Sequence, residues 1–151
     1  MNLTVKDVQD AIVVALAPML AQNGGKARSV GSYGGQFEKA ALGQGQIRLV
    51  MPAVMVAYTG SEYDPSSAPT HDRTMRFRLY HGSASPSSEL VRRQEALDLM
   101  DASRSLLNGS DLGLAVTPLA VERESPVPAG DAFCVYAADY MTLMTEDATQ
   151  Y

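Results

Sequence analysis

The chain has 151 residues, of which 46% are hydrophobic and 19% charged, enough apolar material for the core of one ordinary globular domain, residues 1–151. A net charge of −5 argues against wrapping nucleic acid, because phosphate contacts call for a surplus of Lys and Arg. A single cysteine, Cys134, excludes an internal disulfide and fits an intracellular or virion protein better than a small secreted one.

Taken in order, the N-terminus carries no export pattern. Lys6 is flanked by Asp7 and Asp10, and the apolar stretch from Ala11 to Ala21 is broken by Pro18. That falls well short of the roughly 20 apolar residues of a membrane span, so a soluble chain is expected. Thr4 and Asp7 have the spacing of a capping box, and Val5, Val8, Ile12 and Leu16 recur at helical period behind them. Pro18 should kink or end that helix, with Gln22-Asn23-Gly24-Gly25 as the stop. Gly24-Gly25-Lys26 lacks the Ser or Thr of a phosphate loop, since Ala27 follows the lysine.

Ala27 to Tyr33 alternates as a short strand, and Gln36 to Leu42 has room for two helical turns. The run Leu49 to Tyr58 is apolar at nearly every position and rich in Val, the pattern of a strand buried on both faces. Thr59 to Thr70 has Gly60, Pro65, Ser66, Ser67 and Pro69 and no periodicity, which predicts a long loop. Long ordered loops tend to be functional, so Glu62, Tyr63 and Asp64 become the candidate interface residues. Thr74 to His81 alternates Met75, Phe77 and Leu79 against Arg76, Arg78 and Tyr80, a strand with one buried face and a solvated or ion-paired one.

Ser87 or Ser88 can cap a long helix running to Asn108, with Gly109 as its stop. Asp98 and Asp101 stand three apart on it without a third ligand nearby, which reads as a solvated helix face. Leu112 to Glu124 predicts a strand with a bulge or edge at Pro118, and Ser125 to Gly130 a turn. Asp131 to Thr142 should pair back as the second arm of a hairpin, with Cys134 packed inside it and residues 143–151 frayed. The sum is an α+β fold: an antiparallel or mixed sheet of about four to five strands, two main helices packed on one face.

Catalytic parts do not assemble from this sequence. His71 and His81 flank the arginine-bearing strand, roughly 30 Å apart if it is extended, too far to share a metal or a proton. Ser32 and Ser83 follow glycines without the spacing of a nucleophile elbow. No catalytic, cofactor or metal-binding residue is assigned, and the protein is expected not to be an enzyme.

Three segments carry a family resemblance: the opening Val8-x-x-Ala11-Ile12 helix, the strand Pro52-Ala53-Val54-Met55-Val56-Ala57-Tyr58, and the region from Ser105-Leu106-Leu107-Asn108-Gly109 through Leu112-Gly113-Leu114 and Pro118-Leu119 to Ala132-Phe133-Cys134-Val135-Tyr136-Ala137. With these the chain resembles the short tail-module proteins of Mu-like phages and prophages that are regarded as tail terminators. The segment from Thr59 to Thr70 departs from the typical member in being longer and richer in Pro and Ser. The resemblance implies a structural virion protein, assembled in the host cytoplasm, that forms a homohexamer ring on the head-proximal end of the tail tube. Such a ring stops tube growth and offers the surface on which the head docks. The partners implied are further copies of itself, the tail tube protein, a head completion or connector protein and the tail sheath, with DNA passing through unbound and no membrane involved. Another head–tail connector or tail-completion protein is the nearer alternative; a small cytosolic enzyme or ligand-binding domain is the more distant one.

Overall fold

The computed structural model describes residues 2–34, 50–64 and 69–147. The expected short helix at Gln36 to Leu42 lies outside those residues.

The first helix, α1 (Val5–Ala15), begins as its sequence dictates. Asp7 N donates to Thr4 Oγ1 at 3.1 Å while Thr4 N donates to Asp7 Oδ2 at 2.9 Å. The backbone hydrogen bond from Thr4 holds the Asp7 carboxyl below its usual range. Val8 and Ile12 are buried, and the helix ends at Ala15 rather than kinking, giving way to a 3-10 turn that contains Pro18. After a second such turn the chain reverses through Gly24 at φ 90°. Ala27 N donates to Met19 O and Ala21 N to Ala27 O, both at 2.8 Å. That closure brings Gly25 so near Met19 that a Cβ would overlap its carbonyl.

The strands are β1 (Ser29–Ser32), β2 (Ala53–Asp64), β3 (Thr70–Ser83), β4 (Ala120–Val127) and β5 (Cys134–Asp147), with α2 (Glu89–Leu107) between β3 and β4. They form one sheet in the order β1-β2-β3-β5-β4, parallel between β1 and β2 and antiparallel elsewhere. The fold is thus α+β, a five-stranded mixed sheet with two main helices. Ser88 caps α2, its Oγ accepting from Val91 N at 3.1 Å, and Gly109 follows the helix at φ 86°.

One core lies between sheet and helices. Val8, Ile12, Leu16, Leu99 and Leu107 meet Val54, Val56, Met75, Phe77, Leu79, Ala138 and Tyr140. The register explains this set: Phe77 pairs with Tyr58 and Tyr140, Leu79 with Val56 and Ala138, so alternate residues of three strands share a face. The opposite face holds a smaller cluster of Ala53, Met55, Tyr80, Val135 and Ala137, with Tyr33 stacked on Tyr80 at 3.9 Å. Further along that face the expected arginine stripe is ion-paired. Arg78 grips Asp139 through Nε at 2.7 Å and Nη2 at 3.3 Å, and Arg76 bonds Glu122 and Glu62, each at 3.1 Å. A buried Phe or Leu side chain is worth about 2 kcal/mol, a surface ion pair about 0.5 kcal/mol. The apolar face therefore decides which side the helices cover.

Several expectations are corrected. The run ending at Tyr58 is buried on both faces only from Ala53 to Val56, and β3 lies at the centre of the sheet. The predicted loop from Thr59 to Thr70 is mostly strand, because β2 continues to Asp64 and β3 begins at Thr70. Backbone pairing to β3, not apolar periodicity, holds this part together, and that leaves no signature in the residue pattern. The fourth strand starts at Ala120, not Leu112, and absorbs Ser125 to Val127; Pro126 is tolerated because β4 is an edge strand. Residues 112–119 instead tuck Leu119 into the core. The expected fraying from residue 143 does not hold as far as Asp147, since β5 stays paired to that point. Cys134 is partly rather than fully buried, and burial raises its thiol pKa, the opposite of an activated thiol.

Candidate functional site

The candidate interface residues Glu62, Tyr63 and Asp64 lie at the outer end of β2, beside the start of β3 and the end of β5. A bulge sets which way each of them faces. Tyr58 pairs with Phe77, but Gly60, at φ 138°, pairs with Arg76, so Thr59 is the inserted residue. Without that insertion Glu62 would share the helix-side face with Tyr58. With it, Ser61 and Tyr63 take that face, opposite Met75 and Arg73.

Around Tyr63 the three strands build a polar lock. Glu146 of β5 is fully buried, although it lies near the end of the last strand. Its carboxylate accepts from Arg73 Nη1 at 3.0 Å and is 2.8 Å from His71 Nε2. Arg73 also donates through Nε to Ser61 Oγ at 3.1 Å, and Ser61 is 2.6 Å from the Tyr58 hydroxyl. Burial is the largest single influence and works against the arginine charge, but the hydrogen bonds to Glu146 and Tyr58 and the nearby Tyr63 and Glu146 together outweigh it, so the guanidinium pKa is raised. The Tyr63 ring closes the cluster, 5.2 Å from the His71 ring in an edge arrangement, with the Arg73 guanidinium 5.3 Å from its centroid. Tyr63 nevertheless stays 54% exposed, and the Glu62 side chain 78%.

Sequence reasoning weighed His71 only as a partner of His81 and singled out neither Arg73 nor Glu146, and it did not bring the three together. The signal was present for two of them: His71 and Arg73 continue the period-2 series of Met75, Phe77 and Leu79. Glu146, more than 70 residues away, could be found only through the β3–β5 register.

The remaining chemistry-bearing residues go to structural partners. His71 and His81 both lie in β3. His81 is buried between β3 and α2, with Nδ1 3.1 Å from Tyr136 O and Nε2 2.6 Å from Ser103 Oγ. A carbonyl only accepts, so Nδ1 carries the proton given to Tyr136 O, while Nε2 meets the Ser103 hydroxyl, whose single proton is shared between it and Met100 O at 2.9 Å. Desolvation pushes the His81 pKa down to about 4. Asp98 and Asp101 diverge: Asp98 accepts from Gln94, and Asp101 pairs with Arg104 at 3.2 Å. Among the described residues no three His, Cys, Asp or Glu side chains gather to hold a metal, and no helix is long and apolar enough to cross a membrane.

A two-layer α+β domain with an internally locked strand end defines the class. The family model described as Bacteriophage Mu, Gp37 matches residues 4–144, and the chain belongs to that phage protein family. Among solved structures, a chain from the "Virion of native gene transfer agent (GTA) particle" has the same fold, with a TM-score of 0.62 over 92% of this chain and 95% of that one at 14% identity. Comparison with curated proteins finds no match.

Proposed function

We propose that this protein is a structural virion component, the tail terminator: a ring of copies, six by family resemblance, that caps the head-proximal end of the tail tube. The observation that carries the reading is membership of the Bacteriophage Mu Gp37 family over nearly the whole chain. The shared fold with a chain of a gene transfer agent virion supports work inside a particle. The site chemistry agrees with that work. The charged side chains behind Tyr63 are spent on internal pairs, and the outer end of β2 exposes an aromatic ring beside acidic residues, of which Glu62 also bonds Arg76, material for contact with another protein. The partners proposed are neighbouring copies, the tube protein and the head connector, with DNA passing through an acidic protein that does not hold it. Glu62, Tyr63 and Asp64 are proposed as interface residues.

Deletion of the gene from its phage tests the reading. Tails of uncontrolled length together with unjoined heads are expected; tails of normal length, capped and joined to heads, overturn it. Negative-stain imaging of the added-back protein distinguishes the nearer alternative. A ring on tube ends fits the terminator, and binding to the head's portal vertex alone fits a connector.

A further inference from the structure

We infer that the outer end of β2 docks into the groove between the turn after α1 and the C-terminal half of α2 of a second copy, a head-to-tail contact that rests on the ring reading above and gives it named residues.

The groove is about 390 Å³. Pro18, Met19, Leu99, Ala102 and Leu106 give it an apolar floor, and Lys26 and Asp98 stand on its rim. The Lys26 side chain is 75% exposed, and its ion pair among the described residues, to Asp98, is long at 3.9 Å. Arg28, also exposed, follows two residues later in a chain that is acidic overall. The complementary surface is the end of β2, where the half-exposed Tyr63 ring takes the helix-side face and the exposed acidic residues Glu62, bonded to Arg76 at 3.1 Å, and Asp64 flank it in the strand. An aromatic anchor enters an apolar groove, and an acidic side chain meets Lys26 on its rim.

Geometry makes this a contact between copies. Arg28 N bonds Pro52 O, so the Lys26 end of the groove lies near where β2 begins, whereas Tyr63 lies ten residues along β2. At strand rise that separation is roughly 30 Å, too far for one chain to satisfy itself. Two unlike surfaces at opposite ends of one domain join heterologously, and such joining closes into a ring when the rotation allows. The lock behind Tyr63 has a purpose in this arrangement. A buried Glu146 held by Arg73 and His71 fixes the ring before docking, so less freedom is lost on contact.

Cross-linking tests it. In a chain carrying Cys134→Ser, Asp64→Cys and Ala102→Cys are introduced together and treated with a short bis-maleimide, in solution and on purified tail tubes, while rings are counted by negative stain. A covalent ladder from the paired variant, absent from each single-cysteine chain, is expected. Rings that form without cross-links overturn the arm-in-groove contact and leave the ring reading standing; the absence of any ring overturns both. A charge swap gives an independent readout. Lys26→Glu and Glu62→Lys should each weaken self-association about tenfold, and the double variant should recover most of it, each with an unchanged circular dichroism melt. Cross-links to the tube protein instead of a second copy, or no rescue by the swap, also overturn the proposal.

Discussion

Arg73 and Glu146 meet at 3.0 Å across β3 and β5, the carboxylate with no exposed surface and the guanidinium nearly covered. Truncating either partner strands a charge where water cannot reach it, which costs about 3 kcal/mol or more. Arg73→Ala or Glu146→Ala should therefore lower the urea midpoint strongly. Replacing both, as Arg73→Met with Glu146→Leu, should cost less than half of either single change. If the single variants unfold like the wild-type protein, the buried pair is not what holds the outer strands together.

His81 ties stability to pH. Its folded-state pKa of about 4 lies below the ordinary 6.5, so between those values the unfolded chain binds a proton that the folded chain does not. The contribution is fully present above about pH 6.5 and is lost as pH falls toward 4, amounting to on the order of 3 kcal/mol there. Urea midpoints measured from pH 7 to 4 should fall along this curve, and His81→Gln should flatten it. An equally steep fall in the variant would assign the acid sensitivity to other groups.

Gly25 and Gly24 are adjacent and should respond differently. A Cβ at Gly25 overlaps the Met19 carbonyl, the acceptor for Ala27 N, so Gly25→Ala must open the turn after α1 at a cost of about 2 kcal/mol or more. At Gly24 nothing lies within reach, and Gly24→Ala bears only the left-handed backbone cost of about 1 kcal/mol. Thermal denaturation should rank the two in that order; the reverse order would mean the close approach relaxes freely.

Elements whose cause is local could be read from the residues. The Thr4–Asp7 capping box, the Ser88 cap and the glycine after α2 act within a turn of chain, and each is found where its residue type stands. The alternation of Met75, Phe77 and Leu79 was also legible, since burial of one strand face repeats every second residue. The outer end of β2 was not. From Thr59 to Asp64 the strand exists because β3, itself paired to β5, extends alongside it, and side chains there are largely polar. Pro126 misled in the same way: proline reads as a turn until the sheet order shows that its strand is an edge.

By itself, then, the sequence determined the α+β class, the helix caps and the apolar faces, because capping and periodicity are short-range properties of side chains. Only the tertiary structure decided that β3 is the central strand, that one bulge at Thr59 turns Tyr63 rather than Glu62 toward the helix side, and that Glu146 reaches His71 and Arg73. Those relations depend on register between distant segments, and register is set by how whole strands pair, not by any residue read alone.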